Sequence, residues 1–162
     1  MSILAYSDMT QPQAPSAPLA NSLWRLIFTH SNDPQYISVA DVNFRKVTGV
    51  DNPMVGNAFA SSEYGAGFTA KEAFDSEKAG TGWVSLQNQG VDGWLGIKLQ
   101  NPFNDFVEVA VTAYASGPGA AQAPKGFIVQ RSVFGLTWED MLTVTDQTDW
   151  EPAETRVFVF PV

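Results

Sequence analysis

From Leu23 onward the chain is divided into short apolar runs by Gly, Pro, Asn and Asp, and no long stretch repeats with a helical period. That punctuation is the strongest constraint on the fold. Residues 23–29, 36–45, 54–61, 82–87, 93–99, 106–115, 126–131, 139–145 and 155–160 read as strands. Within 36–45 the pattern alternates, with Ile37, Val39 and Asp41 on one face and Ser38, Ala40 and Val42 on the other. Ser31-Asn32-Asp33-Pro34 is the turn before it. The one modest helical segment is 69–74. Many short strands at near-even spacing favour a sandwich or jelly roll over a parallel α/β sheet.

Length and composition fit one such domain. The chain has 162 residues, 44% of them hydrophobic and 12% aromatic, enough for an ordinary core without staples. Charged residues make up 16%, against about 25% in most globular proteins, so Ser, Thr, Gln, Asn, Gly and Ala coat much of the surface. The net charge of −8 and the lack of a basic stripe argue against nucleic acid and anionic lipid as partners. With no cysteine there are no disulfides, thiolate nucleophiles or thiolate metal sites.

Residues 1–20 read as an extended Pro/Ala-rich arm, from Met9-Thr10-Gln11-Pro12 through Ala14-Pro15-Ser16-Ala17-Pro18, and residues 21–162 as the folded domain. The arm is either a tail without order or a docking arm that orders on a partner. Its start, Met1-Ser2-Ile3-Leu4-Ala5-Tyr6, has neither the basic nor the long apolar part of a secretory signal. No run reaches the ~18 apolar residues that span a bilayer, so no membrane insertion is expected. The expectation is a protein made in a cytoplasm that reaches the exterior only within a larger assembly.

Three stretches in order then resemble the discoidin, or coagulation-factor C-type (galactose-binding-like), family. The first is Ala60-Ser61-Ser62-Glu63-Tyr64 with Ala73-Phe74-Asp75 and Thr81-Gly82-Trp83-Val84-Ser85. The second is Gly93-Trp94-Leu95-Gly96-Ile97-Lys98-Leu99. The third is Ala123-Pro124-Lys125-Gly126-Phe127-Ile128-Val129-Gln130-Arg131-Ser132, followed by Gly135-Leu136-Thr137-Trp138-Glu139. The strands that close that family's domain are missing after residue 160, yet Leu23-Trp24-Arg25-Leu26-Ile27-Phe28 and the segment 37–45 resemble them at the start. The resemblance therefore implies a circularly permuted, discoidin-like jelly-roll β-sandwich of about eight strands, with 46–53 as the joining loop. The permuted order is similar to that of bacteriophage virion and tail-fibre proteins.

The same resemblance implies one structural Ca2+, held by Asp75, a Thr81 oxygen and Asp41. The loop 75–81 is one residue longer than the family's and contains Lys78, and Asp41 stands where the family has Glu. The alternative is a plain hydrogen-bonded loop in which Asp75 caps backbone amides and Lys78 stays solvated. Trp24, Trp83, Trp94 and Trp138 coincide with positions that in the resembled family face the core or brace loop bases, and Trp150 has no clear place. Tyr36, Tyr64 and Phe68 lie in loops and are candidates for an exposed ligand platform, the alternative being loop packing. At the hairpin tip Val133 and Phe134 stand where the family has polar residues, beside Arg131, and the three form a candidate protein interface unless the tip folds back on Trp150 or on its own loop.

Catalysis finds no positive signal. His30 is the only histidine, beside turn residues, and no G-x-S-x-G elbow exists. Two non-enzymatic readings follow. One is a virion structural or accessory protein, head or tail, that assembles with other virion proteins and is oligomeric. The other is a carbohydrate-binding module for a host-surface glycan.

Overall fold

The computed structural model describes residues 23–101 and 105–161. The 1–20 arm lies outside the described residues. Ten strands and one short helix follow in order: β1 Leu23–Ser31, β2 Ser38–Val39, β3 Asp41–Arg45, β4 Gly56–Ala60, the 3-10 helix Ala70–Phe74, β5 Trp83–Val84, β6 Trp94–Leu99, β7 Glu108–Thr112, β8 Pro124–Ser132, β9 Glu139–Val144 and β10 Thr155–Val159. All pairings are antiparallel.

Eight of these strands build the two sheets of a sandwich. The larger has the order β4-β6-β1-β8-β9 and the smaller β10-β7-β3, while β2 and β5 form a separate ribbon. Period-two patterning explains β1: Trp24, Leu26 and Phe28 are fully buried, and Arg25 and Ile27 between them face partly outward. Register places Trp24 beside Ile97, and Leu26 beside Leu95 and Val129, on one inner face. Val42, Phe44, Val109 and Val111 answer from the smaller sheet. The faces meet through rings: Trp24 lies 5.3 Å from Phe44 and 5.1 Å from Phe106, and Phe127 meets Phe158 edge-on at 5.2 Å. β1 is thus a central strand flanked by strands from much later in the chain.

Two differences from the sequence reading have simple causes. The run 36–45 is two strands, not one, because the chain leaves the ribbon at Ala40 and enters the smaller sheet. The alternation flips there, so Val42 and Phe44 join Ile37 and Val39 in the core, and Asp41 turns to the other face. At Gly82 a Cβ would approach Ala40 Cα to 2.5 Å, a crossing that only glycine permits.

The outer face of β3 and β7 is polar and buried, because the loop 46–53 covers it. Asn43 donates to Asn52 O at 2.8 Å, and Asn52 N–H returns a bond to Asn43 Oδ1 at 2.9 Å. Arg45 contacts Asp51 at 2.6 Å and Glu108 at 3.1 Å, and Gly49 N–H donates to Glu108 at 2.8 Å. Burial opposes the Arg45 charge, but hydrogen bonds to Asp51 and Glu108 more than offset it and raise its pKa.

Candidate functional site

Tyr36, Tyr64 and Phe68 come together although they belong to separate loops. Tyr36 meets Tyr64 edge-on at 5.8 Å, and Tyr64 meets Phe68 the same way at 5.8 Å. Tyr114 extends the row, 6.4 Å from Phe68. These four rings, with Val84, Ser116, Pro118 and Gln122, line an open cavity of about 390 Å³, within the range of small-ligand sites. The hydroxyls of Tyr36, Tyr64, Tyr114 and Ser116 and the Gln122 amide make no side-chain hydrogen bond within the described protein, and no charged residue lines the cavity.

The segment Ala60–Tyr64 explains why Tyr64 stands where it does. Ser61 Oγ accepts from Trp94 N–H at 3.0 Å, and Ser62 Oγ accepts from Leu86 N–H at 3.1 Å. Trp83 Nε1 donates to Ser62 O at 2.8 Å, and Glu63 accepts from Ala70 N–H at 2.7 Å. The Ser61, Ser62 and Glu63 side chains are thereby spent on holding the chain, and Tyr64 N–H closes the clasp on Val84 O at 2.8 Å. Its ring projects, 55% exposed, from a fixed base. Opposite it, Gly119 makes room for Tyr114: a Cβ there would lie 2.5 Å from Tyr114 Cβ. Tyr36 is positioned by the Asp33 turn, whose Oδ1 accepts from Gln35 and Tyr36 amides at 2.7 and 2.8 Å.

Asp41, Asp75 and Thr81 fare differently from one another. Asp41 is 1% exposed, and among the described residues neither carboxylate oxygen has a partner in hydrogen-bond geometry, the Ser76 amide lying near but not closing a bond. Burial pushes its pKa up from 3.8 to about 6; Lys78 and the nearby Ser76 amide oppose the rise, while Asp51 and Asp75 add to it. Asp75 is exposed and accepts from Glu77 N–H at 2.8 Å, as in the plain-loop alternative. Lys78 is not free in solvent: it donates to Asp51 at 2.6 Å. The Thr81 hydroxyl is turned to Glu72, 3.2 Å away. Among the described residues no three His, Cys, Asp or Glu side chains gather as a metal site.

At the β8–β9 hairpin Phe134 is 73% exposed and Leu136, which the sequence reading left out, is 89% exposed. Arg131 pairs with Glu139 at 2.8 Å across the hairpin, and Val133 is half-buried. The tip does not fold back on Trp150, whose face is covered by Arg156 at 4.2 Å. Trp24 and Trp83 are core residues. Trp94 is half-buried, 5.6 Å from Phe59, and Trp138 lies outside the core with Arg25 stacked on it at 3.8 Å. His30 is exposed and lies 3.2 Å from the Thr29 hydroxyl.

Tyr114 is the site residue that sequence reasoning missed. It looked like the end of a strand, and the signal was the turn cluster Ser116-Gly117-Pro118-Gly119 directly after it. Compared with protein-family models, with curated proteins and with solved structures, the chain matches none.

Proposed function

We propose that the chain is a non-enzymatic structural or accessory component of a bacteriophage virion, carried on the exterior of a head or tail. Its discoidin-like domain serves assembly and touches the host surface by binding an uncharged glycan. The observation that carries the host-contact part is the cavity itself. Four aromatic rings offer apolar faces for the C–H side of a sugar. Three tyrosine hydroxyls, Ser116 and Gln122, all without internal side-chain partners, offer hydrogen bonds to its hydroxyls. No cation stands among the described lining residues, which in a chain of net charge −8 favours neutral over anionic sugars.

Phe134 and Leu136, exposed beside Arg131 and Val133, suit contact with other virion proteins, as does the arm at residues 1–20. A structural Ca2+ fits one observation: Asp41, buried and without a hydrogen bond, is a carboxylate that a divalent cation would satisfy. Asp75 would be its second carboxylate, and backbone carbonyls of the loop 75–81 and water would complete the shell. Thr81 would have to leave Glu72 to take part. The ion would brace that loop and carry no chemistry.

A glycan array with separate neutral and anionic panels tests the binding function. The expected result is retention of neutral glycans by the full chain and their loss from the Tyr64→Ala protein. Binding only to the anionic panel, or to neither, contradicts it.

A further inference from the structure

We infer that β10 is a self-pairing edge, through which two copies of this chain join their smaller sheets antiparallel about a two-fold axis at Val157. Hydrogen-bond parity carries the inference. Phe160 N–H donates to Val107 O at 2.9 Å and Ala113 N–H to Glu154 O at 2.8 Å, in the same register as the β10–β7 ladder. Even-numbered residues of β10 therefore bond to β7. Thr155, Val157 and Val159 direct their N–H and C=O groups the other way. Among the described residues none of these groups has a hydrogen-bond partner, and no described strand pairs along that side.

Sheet edges are normally guarded by charge, proline, a bulge or a covering loop. Two of the other edges of this sandwich, β3 and β9, show such devices. Asn52 laces the β3 edge through its side-chain bond to Phe44 O at 2.8 Å. β9 opens with Glu139 and Asp140 and contains a register shift. β10 presents Thr155, Val157 and Val159, all uncharged in a chain of net charge −8, with the two valines 44% and 64% exposed.

The pattern is its own complement. Val157 opposite Val157 of a second copy sets Thr155 opposite Val159, and every outward group finds a partner. That gives about six backbone hydrogen bonds, two for each of the three residue pairs. Arg156, on the opposite face, is already paired with Glu154 at 2.7 Å, so the copies meet as neutral pairs and not as like charges. Pro161 has no N–H to offer and ends the pairing just beyond Val159. A strand that matches itself under a two-fold axis fits an isologous dimer better than a foreign strand. The contact is small, so the isolated dimer is weak and gains strength from multiple attachment within an assembly. None of this depends on the glycan cavity.

Sedimentation of the full chain from micromolar to millimolar concentration tests it. The expected result is reversible dimerisation that Val157→Lys, which sets two like charges at the axis, weakens at least about tenfold with the melting temperature almost unchanged. In this cysteine-free chain Val157→Cys should form a covalent dimer under mild oxidation much faster than Val91→Cys, at a loop residue 48% exposed. A monomer at every concentration overturns the inference. So does a dimer indifferent to Val157→Lys, or cross-linking of Val157→Cys no faster than of Val91→Cys.

Discussion

A carboxylate sealed from water without a hydrogen bond is costly to keep ionised, and Asp41 is in that position at neutral pH. Its folded pKa of about 6 lies above the ordinary 3.8, so folding favours the protonated form. The stabilising share of that proton is complete below the unfolded value and is lost as pH rises through about 6. The shift corresponds to roughly 3 kcal/mol. In chelator, Asp41→Asn should therefore stabilise the protein by about 1–3 kcal/mol at pH 8 and by much less at pH 4, as read by denaturant unfolding at both pH values. With Ca2+ the order reverses: the wild type should gain about 2–3 kcal/mol at saturating metal, and the variant nothing. A wild-type melt indifferent to calcium removes the ion from the account. Gly96 is a second sensitive residue, because a Cβ there would lie 2.6 Å from both the Phe59 ring and Trp24 O. Gly96→Ala should cost about 1–3 kcal/mol in a thermal or chemical melt. Through resemblance the sequence singled out Asp41 as a candidate ligand. Its isolation was not visible, because that depends on where Ser76, Lys78 and Asp51 fall in space.

At the scale of elements, the runs bounded by turn residues were the legible ones: β1, β4, β6, β8, β9 and β10 begin and end within about two residues of their sequence limits. The run 36–45 misled because Ala40 carries no signal that the chain changes sheet there. The loop 46–53 was readable as a connection but not as a lid, since its Asn52, Asp51 and Gly49 contacts are made with β3 and β7. That lid makes a testable ion network. Arg45 and Glu108, with side chains 7% and 1% exposed, face each other beneath it. Arg45→Met alone leaves Glu108 buried with only the Gly49 amide and should cost about 3–5 kcal/mol. Arg45→Met with Glu108→Leu should cost clearly less than the single change, and a double-mutant cycle by urea unfolding reads the difference.

Across the whole molecule, the sandwich followed from punctuation and composition, because alternating apolar runs leave few ways to bury one face of each strand. The grouping of Tyr36, Tyr64 and Phe68 was legible only as three loop aromatics. Their meeting depends on the clasp at Ala60–Tyr64 and the turn at Asp33, both set by long-range contacts. The molecule that results has a packed core, an aromatic cavity, an apolar hairpin tip and an open sheet edge, the separate surfaces on which the proposed host contact and assembly rest. The most direct test of the central claim is calorimetric titration of the best neutral array glycan into wild type and Phe68→Ala. Binding by the wild type with a loss of at least about tenfold in the variant, at nearly equal melting temperature, is the predicted result. Equal affinity in the two proteins would contradict the assignment of the cavity as the glycan site.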